Sequence, residues 1–187
     1  YENYQTPEQS IPEHQLQNPW ETCMTLTNDW GWVKQPIFKS PARIIAVLAE
    51  VVAKGGSLLL GVGPTPEGLI EDEAVVRLKE IGKWLDKNGE AIYSTVATPI
   101  YTNAEQNIWF SSSKDRKTIY AVIPQKDDAE NKPLTISWQG NTPRKGSKII
   151  NLATKKAVKY TTKDNTTTIT LPKGLAGTNG VALKIEL

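Results

Sequence analysis

Two carboxylates near the beginning of the chain, Glu2 and Glu8 in YENYQTPEQ, are the first residues able to do chemistry. A carboxylic acid held among aromatic rings has a raised pKa and can serve as a proton donor. On a polar loop the same residue is an ordinary solvated acid. Aromatic partners follow in NDWGWVKQP, where Trp30 and Trp32 flank Gly31. Flat apolar rings with polar neighbours suit the C–H-rich faces of sugars. They equally suit a covering role at the end of a buried sheet. Glu21 and Asp29 could contact a ligand or brace a turn, and Glu67 and Glu71 read as turn and helix-dipole acids.

Other chemistries are poorly served. His14 is the single histidine and has no Ser or Cys at a supporting spacing, so no nucleophile triad is indicated. One cysteine, Cys23, and one histidine cannot assemble the usual structural zinc set. GVGPTPEG lacks the following Lys-Ser/Thr of a phosphate loop. The 22 basic and 20 acidic residues nearly cancel, which argues against a nucleic-acid or membrane-surface partner. No apolar run approaches the ~20 residues of a spanning helix. With 187 residues, 39% hydrophobic and 22% charged, the chain reads as globular, one large domain or two small ones.

The elements that must position these residues follow from periodicity. Residues 1–37 are broken by Pro7, Pro12, Pro19 and Pro36, the texture of a long functional loop, with a short strand expected in 21–27. SPARIIAVLAEVVAKGG predicts a helix with Ser40 as N-cap, Pro41 at its first position and Gly55 as its stop. SLLLGVG predicts a strand buried on both faces. EDEAVVRLKEIGKWLDKNG predicts a second helix with Ala74, Leu78, Ile81 and Leu85 on one face. This strand–helix alternation is an α/β pattern too short to close a sheet or barrel by itself, so it reads as the last piece of something larger. YENYQTPEQ is accordingly expected to be an internal loop rather than a natural beginning. Beyond residues 94–98 the texture changes to seven or eight short alternating segments divided by turns, which predict an antiparallel β-sandwich.

The stretches TPEQSIP, PWETCMTLTNDWGW, VVAKGGSLLLGVGPTPEGLI and RLKEIGKWLDKNGEAIYST, in that order, resemble the α-L-fucosidases of glycoside hydrolase family 29. The resemblance implies α/β plus all-β architecture. Residues 1–96 would be the C-terminal part of a (β/α)8-like catalytic barrel and residues 97–187 a C-terminal β-sandwich. It implies a retaining exo-hydrolase that releases terminal L-fucose with two carboxylates ~5–5.5 Å apart. The nucleophile Asp is expected upstream of this chain. Glu8 in TPEQ matches the acid/base position of several members, with Glu2 in reserve because placement varies between subgroups. Trp30 matches the aromatic that packs on the apolar face of fucose, and Trp32 the next ring of that motif. Gly61 departs from the family, where Asn is frequent.

The partners implied are a fucosylated glycan and the preceding barrel segment of the same protein. Neither a cofactor nor a metal is implied, and family usage suggests a secreted, periplasmic or lysosomal setting. The alternative reading is a carbohydrate-binding or structural β-sandwich module without activity of its own, in which Trp109 and Trp138 could form a sugar platform, although rings in alternating strands are more often core.

Overall fold

A computed structural model describes residues 3–125, 133–171 and 179–187. Strand β1 (Glu21–Thr25) and strand β2 (Ser57–Gly61) pair in parallel, Glu21 opposite Ser57 and Thr25 opposite Gly61. Helix α1 (Pro41–Ala53) connects them. Its N-terminus forms as the sequence predicts. The Ser40 hydroxyl accepts from the Arg43 amide at 3.1 Å, and Gly55 takes φ +80° just past the end. Helix α2 (Asp72–Asn88) follows, with Asp72 and Glu73 in the first turn where the helix dipole favours negative charge.

The remainder is antiparallel sheet, consistent with a β-sandwich domain. Strands β3 (Thr95–Asn103), β4 (Ile108–Ser113), β5 (Thr118–Ile123), β11 (Val181–Glu186), β7 (Ile149–Asn151) and β8 (Ala157–Val158) lie side by side in that order. Strands β6 (Leu134–Gln139), β10 (Thr166–Leu171) and β9 (Tyr160–Lys163) form the second sheet. Alternate residues of both sheets, among them Phe110, Ile119, Leu183, Trp138 and Ile169, meet in one buried core. The Phe110 and Trp138 rings lie 6.0 Å apart at 57°, a tilted contact that adds to their area burial.

A second core lies on the other face of the six-stranded sheet. Ile44, Ile45 and Ala49 of α1 and Ala74, Ile81 and Trp84 of α2 pack there against Tyr120, Val122 and Ala182. The six-stranded sheet is therefore covered on both faces, by helices on one side and by the small sheet on the other. The Trp84 indole N–H donates to the Gly180 carbonyl at 2.9 Å across this contact.

Three expectations change. The run SLLLG is not buried on both faces: Leu59 is 50% exposed, because α1 covers the face carrying Leu58 and Leu60 and nothing among the described residues covers the opposite face. Strand β3 carries the chain from helix to sandwich although its Pro99 and mixed polarity hid it from a periodicity reading. On α2, Leu78 turns outward at 36% exposure, and Trp84 takes the buried place instead. The β3–β4 register slips between Ala97 and Thr102, which absorbs Pro99 as an irregularity in the ladder.

Candidate active site

The segment carrying Glu8 lies beside β1 as a third parallel element. The Gln5 amide donates to the Pro19 carbonyl (3.1 Å), the Cys23 amide to Pro7 (3.1 Å) and the Gln9 amide to Cys23 (2.9 Å). Glu8 thus sits opposite Cys23 with the backbone on both sides of it tied down, and its side chain is exposed. Further along, the Thr22 hydroxyl donates to the Ser10 carbonyl at 2.7 Å. Glu2 lies outside the described residues.

Three loops leave the same, C-terminal, end of this parallel array: one after Gln9, one after Thr25 and one after Gly61. The middle loop is a projecting arch. Its feet are joined where Thr27 bridges Phe38, with the Lys39 amide donating to Leu26 (2.9 Å) and the Asn28 amide to Ile37 (3.1 Å). Trp30 and Trp32 stand on it, 53% and 37% exposed. Trp32 is braced from below: its indole N–H donates to the Glu71 carboxylate at 2.9 Å. Glu71, read from the sequence as a helix-dipole acid, is the residue that ties the aromatic arch to the start of α2. Gly63 makes the close approach possible, since a Cβ there would lie 2.6 Å from the Trp32 backbone nitrogen. Leu26, Phe38, Val62 and Ala74 line the narrow space under the arch, which has a free volume of ≈ 10 Å³.

Polar contacts that spacing could not reveal join the first two loops. The Gln9 side-chain amide donates to the Thr25 hydroxyl at 2.8 Å, and that hydroxyl donates to the Thr27 carbonyl at 2.7 Å. The Lys39 ammonium donates to the Thr25 and Thr27 carbonyls at 2.6 and 2.5 Å. Burial, with the nearby Arg43 charge second, holds the Lys39 pKa below its ordinary value. Lys39 had no signal in the sequence beyond preceding the N-cap Ser40. Glu21 and Asp29 stay on the flanks: the Glu21 backbone amide donates to the Gln5 carbonyl at 3.0 Å, and the Asp29 backbone accepts from and donates to the Thr27 hydroxyl.

Below the mouth, the loop after Ser10 is anchored to the helix and the sandwich. The Lys54 ammonium, 5% exposed, donates to the Pro12 carbonyl (2.7 Å) and pairs with Glu50 (2.6 Å). It also lies 5.4 Å from the centroid of Trp109. The Gln15 side-chain amide donates to the carbonyls of Ala53 (3.0 Å) and Thr98 (2.9 Å). Trp109 is part-buried beneath the Lys54 ammonium and Trp138 is 1% exposed, so the two rings do not form a shared exposed platform. Among the described residues no group of His, Cys, Asp and Glu could hold a metal ion, and no helix is long and apolar enough to cross a membrane.

Parallel strands with polar and aromatic loops at their C-terminal ends, helices behind and a β-sandwich attached define a class of α/β protein whose ligand site is loop-built. Residues 1–90 match the model of the alpha-L-fucosidase family. The chain is 37% identical over 122 residues to the tissue alpha-L-fucosidase of Mus musculus, covering 62% of this chain and 25% of that protein. It is 34% identical over 122 residues to the plasma alpha-L-fucosidase of Rattus norvegicus, covering 60% of this chain and 26% of that protein. Its fold is similar to that of alpha-L-fucosidase isoenzyme 1 from Paenibacillus thiaminolyticus. There the TM-score is 0.81 and the identity 26%, over 99% of this chain and 45% of that one. The chain spans about a quarter of the length of the curated relatives it matches.

Proposed function

We infer that the protein to which this chain belongs is a retaining exo-α-L-fucosidase acting on fucosylated glycans, and that this chain carries the acid/base side of its site. The observation that supports it best concerns Glu8: an exposed carboxylate on a segment paired to β1, the strand that leads into the Trp30 arch. Glu8 is the proton donor to the leaving oxygen and then the base that activates water. Trp30 receives the apolar face of the sugar, and Trp32 supports the arch through Glu71. The nucleophile Asp comes from the part of the protein before this chain, as do further sugar-binding groups.

The free edge of β2 and the half-exposed Leu59 support the barrel reading. A parallel sheet is stable when both its faces and its edges are covered. Residues 1–96 then complete a (β/α)8-like barrel with the preceding segment, and residues 97–187, together with the start of β3, form the sandwich.

Glu8→Gln in the complete protein tests the reading. Turnover of a fucoside with a poor leaving group should fall by at least about a hundredfold. An activated aryl fucoside should fall less and recover when azide is added. Unchanged turnover of the poor substrate would remove Glu8 from the mechanism. The alternative of a sugar-binding sandwich is weakened, since Trp138 is buried in the sandwich core and Trp109 is part-buried.

A further inference from the structure

Charge is divided unevenly along the chain. Residues 97–187 hold 14 Lys and Arg against 7 Asp and Glu, whereas residues 1–96 hold 8 against 13. The near-neutral total conceals a basic sandwich joined to an acidic α/β part. Part of this excess converges on one corner. The turn carrying Arg144, Lys145 and Lys148 leads into β7, and Lys159 leaves β8. The antiparallel pairing of Ile149 with Val158 and Ile150 with Ala157 brings Lys148 and Lys159 to the same end of the ladder. Arg144, Lys145, Lys148 and Lys159 are all exposed.

An open concavity of about 380 Å³ lies at this corner, lined by Arg144, Lys145, Lys148, Ser147, Ile150 and Glu186. Glu186 is the acid lining it, 3.7 Å from Arg144 and half exposed, so it offsets little of the surrounding charge. Hydrogen bonds fix the turn in place. The Arg144 amide donates to the Glu186 carbonyl at 2.8 Å, and the Tyr160 hydroxyl donates to the Ser147 carbonyl at 2.9 Å. Like charges gathered on neighbouring strands destabilise a sheet unless an anion neutralises them.

We propose that this corner binds the anionic portion, sulfate or carboxylate, of an acidic glycan. The proposal rests on the fucosidase reading and deepens it: the substrate is a fucosylated polysaccharide that carries negative charge. The lining favours a glycan over other polyanions. Single-stranded nucleic acid is held by aromatic rings on which bases stack, and Ile150 is the hydrophobic side chain in this lining. A membrane surface would call for exposed apolar side chains able to insert, and Ile150 is part-buried.

The test uses the complete protein and dextran sulfate, with neutral dextran, a single-stranded oligonucleotide and phosphatidylserine vesicles alongside. The doubly reversed variant Lys148→Glu with Lys159→Glu is compared with Lys114→Glu plus Lys163→Glu, which makes the same change in net charge elsewhere on the sandwich. Thermal melts confirm that each variant folds, and Lys148→Gln with Lys159→Gln replaces the first pair if it does not. Expected is salt-dependent binding of dextran sulfate, weakened at least about tenfold by the corner variant and little by the control. Equal loss in both variants, no binding by the unaltered protein, or tighter binding of oligonucleotide or vesicle would each overturn the proposal. Hydrolysis of a small neutral aryl fucoside is measured in parallel. Its absence would sink the fucosidase reading while the dextran sulfate result still stands, and the corner variant should leave it unchanged.

Discussion

The ammonium of Lys39 donates to the carbonyl oxygen of Thr25 at 2.6 Å. One cation thus closes the end of β1, and through Thr27, whose carbonyl it also reaches at 2.5 Å, fixes one foot of the Trp30 arch. Lys39→Met removes the donor and leaves these carbonyls with water or nothing. Stability should fall by about 1.5–3 kcal/mol, the range for hydrogen bonds to a charged group. Urea unfolding measures it, and turnover by the complete protein should fall with it if the arch holds the sugar.

Trp30 and Trp32 should separate cleanly. Trp30 is more than half exposed, so Trp30→Ala should change stability by less than about 0.5 kcal/mol while raising KM for the fucoside. Trp32→Phe loses the indole bond to Glu71 and should cost about 1 kcal/mol of stability. Melting curves and steady-state kinetics on both variants check the division.

Lys54 is a buried cation tied to Glu50 and to Pro12. Lys54→Met leaves a carboxylate and a carbonyl without their donor. The loss should be about 3 kcal/mol, near the lower end for breaking a buried pair because Glu50 is partly exposed. Chemical denaturation would show it as a lower midpoint with an unchanged slope.

Glu90 provides the pH dependence. Its hydrogen bond from Lys184 at 2.7 Å is the leading cause that holds its pKa below the usual 4.5. A depressed folded pKa contributes stability that is present above the unfolded value and lost as pH falls through the folded one. Melting temperature should therefore drop as pH goes below about 4.5, and drop less in Lys184→Met. Tyr120 acts at the other end. Burial is the first cause, and Glu90 the second, that push its pKa from 10.0 up to about 12. Stability from that shift is complete below pH 10 and lost as pH rises towards 12, a loss that Tyr120→Phe should abolish.

The helices were legible because their signals are local. Ser40, Pro41 and Gly55 mark the ends of α1 within a turn of the residues they govern. Most sandwich strands were legible for the same reason, since alternation repeats inside each. Strand β3 was not, because Pro99 and Ile100 break the alternation and the ladder tolerates them by a register shift. The run KAVKYTT alternates like a single strand but is two, β8 and β9, which belong to different sheets.

At the candidate site, residue types offered Glu2 and Glu8 alongside Trp30 and Trp32, and the preference for Glu8 came from its place in the TPEQ stretch that resembles the fucosidases. Which contacts hold them was decided by the fold alone. Glu71 lies 39 positions from Trp32 and Lys54 lies 42 from Pro12, so no window of sequence contains either pair. Local propensity writes the elements into the chain. Hydrogen bonds and charges between distant residues exist only after packing brings them together.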